Sequence, residues 1–420
     1  MSKTQFSCIG SFQKETIEDI LIKIILFLIS PFLSFFYSLR TMNRKSSYVC
    51  FFMFAFFWSL IQCPELGKSL YDGSDMAAHR LIFDRLLGYS ELNFSELFIL
   101  SGFGKSLYTY SFLYIISRVT DNYHWFIVLS GIIVAFFQLK SFRLITGAPS
   151  FRNGVIAIII GCMFAMHAPL YWIGGIRWIT AAWIAIFATL EIWANNNNRY
   201  WWLLSITPFI HYSFFVYVFV FYIAHCTMKK DSLWAILLAC SFIFQFAITA
   251  LYEYIQVFQD ILPSFIFGSL GDAEFMEEQE KNVQSLGFAA KMISLYFMPF
   301  LPTILAYFFY FNRNLIKQKS QVGYTFFQLS MVITFFYNIL SVVPDLGRRF
   351  GFIIFVYYAI VMAYCFFHKK YWPVYLFYLF CASVTLYGDL RAEWTYLTEF
   401  SDWFTNPFFL IDKYLIYPQY

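Results

Sequence analysis

The chain has 420 residues, 60% hydrophobic and only 13% charged, with a formal net charge of +4 and a mean hydropathy of +0.61. A soluble domain carries about 25% charged residues, so an ordinary soluble protein is excluded, and without a dense basic run there is no nucleic-acid partner to expect. Apolar runs of roughly 20 residues recur from end to end, each long enough to cross about 30 Å of hydrocarbon, so the expected fold is all-α: one polytopic membrane helix bundle over residues 1–420 with about ten to twelve transmembrane helices.

The first 19 residues are polar, mixed in charge and without a cleavable-signal pattern, so the apolar run 20–38 is expected to be retained as a helix. Further apolar runs follow at 48–63, 106–117, 124–139, 154–172, 176–194, 200–226, 232–258, 289–311, 323–343, 350–367 and 371–388. Between them, short loops carry Arg40/Arg44/Lys45, Lys140/Arg143/Arg152, Arg199, Lys229/Lys230, Arg313/Lys317/Lys319 and Lys369/Lys370. If all of these face the cytoplasm, the positive-inside rule fixes the topology, and two runs then fail to cross. One is 106–117, short and rich in Tyr and Ser, which reads as a re-entrant or surface helix. The other is 200–226, broken by Thr207-Pro208 and followed by His211-Tyr212-Ser213. It reads either as two half-helices that dip in and return, leaving Lys229 on the side where Arg199 began, or as one kinked span.

With this topology the loop 64–104 (a short helix following it), the hairpin around Gly174-Gly175-Ile176-Arg177, the turn Pro344–Arg349, the acidic loop 259–288 and the tail 389–420 lie outside. Eight cysteines (Cys8, Cys50, Cys63, Cys162, Cys226, Cys240, Cys365, Cys381) are scattered, mostly in apolar segments and never as C-x-x-C. They read as small core residues, with no metal site or disulfide framework expected. No phosphate-binding glycine loop, dinucleotide motif or nucleophilic-serine elbow occurs, so no cofactor is expected.

A few polar residues stand out against this background. Arg177 is the only Asp, Glu, Lys or Arg between Arg152 and Glu191. A charge at membrane depth is costly unless paired or hydrated, so Arg177 either faces a ligand or snorkels from a helix end. The Gly-Gly before it suits a tight turn or a close backbone approach. Arg348 and Arg349 sit between two apolar runs with Asp345 one turn away; they suit a phosphate through paired guanidinium hydrogen bonds, or an Asp345–Arg348 pair that closes the turn. In Tyr71-Asp72-Gly73-Ser74-Asp75-Met76-Ala77-Ala78-His79, Asp75 and His79 share one helical face and are candidate general bases. A helix cap at Asp72 or Ser74 explains part of that loop. His211, within an apolar segment, is either functional or bonded to carbonyls freed by the helix break.

Three of these pieces together resemble the EpsG-like polysaccharide polymerases, functionally akin to Wzy-type O-antigen and capsule polymerases. They are Tyr71-Asp72-Gly73-Ser74-Asp75 with Phe83 downstream; Ile176-Arg177-Trp178-Ile179-Thr180-Ala181-Ala182 with His211-Tyr212-Ser213 some way after it; and Arg349-Phe350-Gly351-Phe352. Trp178 stands where the family often has Gln, and His79 where it usually has Tyr. The resemblance implies a metal-independent glycosyltransferase-type enzyme of the bacterial inner membrane. It would act on the periplasmic face, joining polyprenyl-pyrophosphate-linked oligosaccharides into O-antigen, capsular or exopolysaccharide chains, with a flippase and a chain-length regulator as companions. Arg177 and Arg349 match its arginines, His211 and Ser213 its His-x-Ser, and Asp72 or Asp75 its early aspartate. The alternatives are a flippase or transporter of lipid-linked sugars, or another membrane glycosyltransferase or acyltransferase of polysaccharide assembly.

Overall fold

The computed structural model describes residues 14–62, 75–89, 91–101, 107–149, 159, 175–256, 299–341, 344–380, 383, 402 and 404–416. Among them there is helix and no β-strand. The chain is an all-α membrane helix bundle, and it divides into two compact units. One holds residues 1–161, 168–211 and 391–420; the other holds 162–167 and 212–390. Three described helices are long and apolar enough to cross a membrane, and shorter apolar helices accompany them.

The first unit opens with α1 (Ile17–Ile29), whose N-terminus is capped by the Thr16 side chain accepting from the Asp19 amide. The expected single helix over 20–38 is instead two. Ser30 takes an extended backbone and Pro31 starts α2 (Pro31–Ser38). Proline suits a first helical turn, where its missing N–H costs nothing, and breaks the helix before it. α1 and α2 fold against each other and against α3 (Lys45–Leu60). Asp19 ties them together, 2.8 Å from Lys23 and 2.9 Å from Arg44.

α4 (Asp75–Leu87), α5 (Phe94–Leu100) and α6 (Leu107–Ser117) follow, then α7 (His124–Thr146), α8 (Ile176–Ala194) and α9 (Trp201–Ile210). α7 is the scaffold. Against it α3 runs antiparallel, with Tyr48 within electrostatic reach of Arg143 at one end and Ser59 against Gly131 further along. That approach is so close that a Cβ on Gly131 would lie 1.9 Å from the Ser59 hydroxyl oxygen. α8 runs parallel to α7: Ile176 shares a buried cluster with Tyr123–Val128, and Phe137 meets Phe187 at 5.8 Å. Ala181, Ala182, Ala185 and Ala188 leave α8 thin enough to be buried along most of its length. Small residues allow this closeness where lipid supplies no hydrophobic drive between helices.

α9 returns along α8 and ends at Ile210. The break expected at Thr207-Pro208 comes later, because Pro208 sits inside the helix. The donor that Pro208 lacks would have reached the Leu204 carbonyl, and the Thr207 hydroxyl donates there instead at 2.7 Å. His211, still donating its amide to Thr207 O at 3.0 Å, then turns to an extended backbone (φ −145°, ψ 119°). The segment 200–226 is thus two helices, interrupted at His211–Ser213.

The second unit contains α10 (Phe214–Thr227), α11 (Asp231–Gln256), α12 (Leu301–Phe311), α13 (Arg313–Lys319), α14 (Gln321–Leu340) and α15 (Pro344–Cys365). α14 and α15 form an antiparallel hairpin at its centre, and Phe350–Ala363 are all buried. Buried polar contacts pin the other helices onto it. Asn338 donates to Ser241 Oγ at 2.8 Å and to Thr303 Oγ1 at 2.9 Å, while the Tyr358 hydroxyl donates to Pro302 O at 2.7 Å. On α10, Phe215, Phe219 and Tyr222 form an exposed apolar stripe, the outer face that lipid requires.

The chain ends back in the first unit. Asn406 caps α16 (Pro407–Ile411), and one π turn (Asp412–Ile416) follows. Leu410 and Tyr414 enter the cluster around α7, and Asn122 donates to the Tyr414 and Leu415 carbonyls.

Candidate functional site

The first unit gathers its outlying polar groups at the end where α7 and α8 begin. Arg177 occupies the first turn of α8 and is half-buried. The N-cap, Gly175, offers no side chain to the first amides, where the helix's partial positive charge lies. The sequence suggests a turn or a close approach at Gly174-Gly175; Gly174 lies outside the described residues, and the Gly175 backbone is not left-handed. Its φ is −92°, and among the described residues an added Cβ would meet nothing within 4 Å.

α4 lies across the same end, packed on α6. His79 and Phe83, one turn apart, both point inward. The His79 ring is buried edge-on against Phe126 at 5.6 Å, and Phe83 is wholly buried. The outward face carries Arg80, Asp84 and Arg85. Arg80 holds Asp84 through Nε at 3.1 and 3.2 Å, while Arg85 forms no ion pair among the described residues. The last turn of α4 is fixed by Arg118 at the end of α6. Its guanidinium donates to Leu86 O at 2.5 Å and to Tyr89 O, a cation on helix-terminal carbonyls. Arg85 and Arg177 both act electrostatically on Tyr110 of α6. Just below, the Tyr108 hydroxyl faces Thr180 and Ser130 without a hydrogen bond of regular geometry, and the buried Thr109 and Ser130 hydroxyls also lack partners among the described residues.

In the second unit, Ser213 and Arg349 stand one residue before Phe214 and Phe350. Those rings are joined through Tyr217, which stacks on Phe214 at 4.5 Å and on Phe350 at 3.9 Å. Ser213 is buried and Arg349 half-buried. The polar pair therefore sits at the shared starting end of α10 and α15, and the lysines Lys229, Lys230, Lys317 and Lys319 gather at the far end.

Asp75 begins α4 and Arg348 lies in α15; the backbones of both are described and their side chains are not. Asp72 lies outside the described residues. His211 is buried at the end of α9. Among the described residues, no group of three His, Cys, Asp or Glu is placed to hold a metal ion. Sequence reasoning missed Arg85, Tyr110 and Arg118. Only the spacing Arg80-x-x-x-Asp84-Arg85 hinted that one arginine of α4 would be neutralised and its neighbour left over.

No curated protein and no solved structure matches the chain. Residues 90–396 match the EpsG family, a Wzy-like polysaccharide polymerase family. That match spans the described helices from α5 to α15, including both arginine-bearing helix starts, and the chain belongs to the EpsG family as a polysaccharide-polymerase-like membrane protein.

Proposed function

We propose that this protein joins polyprenyl-pyrophosphate-linked oligosaccharide repeat units on the periplasmic face of the bacterial inner membrane. The observation that carries the reading, beside family membership, is Arg177: a permanent cation, half-buried in the first turn of a helix whose N-cap residue, Gly175, supplies no side-chain cap. Such a helix end favours a phosphate group. In the second unit the four lysines collect at the end away from Arg349, which supports that end as cytoplasmic and the Arg349 end as outer.

The acceptor sugar hydroxyl attacks the anomeric carbon of the donor, forming the new C–O bond as the bond to the pyrophosphate oxygen breaks. The electron pair leaves with the pyrophosphate, where Arg177 and Arg349 stabilise the growing charge and Arg348 adds a third guanidinium. The hydroxyl proton passes to Asp75, His79 or His211, with Asp72 a further candidate and Ser213 placed to orient a sugar hydroxyl. Each linkage releases one polyprenyl pyrophosphate. Cells carrying Arg177→Ala or Arg349→Ala at normal protein level are expected to lose the long-chain polysaccharide ladder. A full ladder in both variants refutes the assignment. Loss of all surface glycan, with lipid-linked units held on the inner face, points to a flippase.

A further inference from the structure

α1 is built inside out. Its buried residues are Asp19 and Lys23, and its exposed ones include Ile17, Leu21, Ile24, Ile25, Leu28 and Ile29. The exposed aliphatics recur at spacings of three and four, so they form one stripe along the helix. A helix bathed in water turns such a stripe inward and its charges outward. The reverse arrangement suits hydrocarbon, where charges face the protein interior and pair. The exposed charge, Glu18, stands in the first turn, at the boundary.

The two ends of the α1–α2 hairpin meet at one level, the start of α3. Glu15 accepts from the Ser46 amide at 2.9 Å and from its hydroxyl at 2.8 Å. Asp19 lies 2.9 Å from Arg44, and Lys23 donates to the Ser46 and Ser47 hydroxyls at 2.6 and 3.0 Å. Thr41, just past α2, shares a 2.9 Å hydrogen bond with Ser47. The far end of the hairpin is equipped for a site without water. Ser30 donates its amide to Leu26 O at 2.8 Å, accepts the Phe32 amide on Oγ at 3.2 Å, and accepts the Ser34 amide on its carbonyl at 3.3 Å. Pro31 has no amide hydrogen to satisfy. Ser34 Oγ donates to Lys23 O at 2.9 Å, and Phe32 rests on Phe54 and Trp58 of α3.

We infer that residues 17–38 form a re-entrant hairpin that dips into the bilayer from the cytoplasmic side and returns, its aliphatic stripe against lipid acyl chains. The sequence counts this run as a crossing, with the residues before it outside. The hairpin instead leaves residues 14–16 on the same side as Arg44 and Lys45, the side the positive-inside rule makes cytoplasmic. Length agrees: the 13 residues of α1 reach about 20 Å, short of the roughly 30 Å of hydrocarbon. The inference stands apart from the proposed reaction and concerns how the first unit is seated in lipid.

The test labels the full chain in spheroplasts with a membrane-impermeant maleimide, over the background of the parent chain. Lys14→Cys and Lys45→Cys, both at exposed positions, are expected to react only after the membrane is opened. Val119→Cys, beside the start of α7 at the opposite end of the unit, is expected to react in intact spheroplasts. Reaction of Lys14→Cys from outside, with Lys45→Cys protected, makes 17–38 a crossing and overturns the hairpin. Reaction of both from outside overturns the cytoplasmic entry, and protection of Val119→Cys in the same experiment counts against the orientation in the proposed function. A photoreactive benzoylphenylalanine in place of Ile25 is expected to crosslink to lipid. A crosslinked dimer instead overturns acyl chains as the occupant of the stripe and identifies a second copy of the chain.

Discussion

The C-terminal segment is closed on itself by a small polar clasp, and Asp402→Asn should open it. Asp402 is buried, 3.2 Å from Lys413 Nζ through each carboxylate oxygen, and it accepts from the Tyr414 hydroxyl at 2.6 Å. Asparagine keeps the shape and removes the charge. A charge-assisted hydrogen bond is about twice as strong as a neutral one, so the Tyr414 bond loses ~1 kcal/mol. Breaking a fully buried pair costs ~3–5 kcal/mol, but Lys413 is 19% exposed, and we discount that to ~1–2 kcal/mol. The sum, ~2–3 kcal/mol, raises the open population of this segment roughly 30- to 140-fold. The Asn122 bonds to Tyr414 and Leu415 and the burial of Leu410 remain, so the effect stays local. Hydrogen exchange read by mass spectrometry on the full chain in nanodiscs should show faster exchange across 404–416 and none in α14. A change below threefold in 404–416, or one spread evenly over the chain, refutes the clasp.

Gly131→Ala drives a Cβ into Ser59, where overpacking costs ~1–3 kcal/mol, and adding Ser59→Ala should recover part of the lost melting temperature because only the nearer atom is removed. Asn338→Leu strips the amide from Ser241 and Thr303; at ~0.6 kcal/mol per interhelical bond in lipid, plus ~1 kcal/mol for each hydroxyl left unsatisfied, thermal unfolding should shift down by several degrees. Thr207→Val leaves the Leu204 carbonyl without a donor beside Pro208, and exchange across 201–210 should rise while the rest of the first unit holds. Arg118→Met should loosen residues 85–89, since the turn that ends α4 loses its cap, and hydrogen exchange there should rise.

The membrane bundle was legible from composition and run length because lipid demands both everywhere along the chain. Arg177 was legible for the same reason: a solitary charge in an apolar stretch is conspicuous without any coordinates. What escaped were repairs and meetings. The Thr207 hydroxyl moves the expected break at Pro208 to His211, a compensation made by one side chain that no hydropathy profile registers. Ser30-Pro31 divides the first apolar run, although the run itself reads as continuous. Arg118 and Asp402 gain meaning only once α4 meets α6 and the C-terminal segment folds, and their spacing in the chain carries no trace of that.

The central claim is that this protein lengthens a polysaccharide from lipid-linked repeat units. Deleting its gene and resolving the surface polysaccharide on a gel tests this directly. Single repeat units without longer chains are expected, with the ladder restored by the parent gene and not by the Arg177→Ala form. An unaltered ladder after deletion, or complete loss of glycan with lipid-linked units accumulating on the inner face, contradicts it.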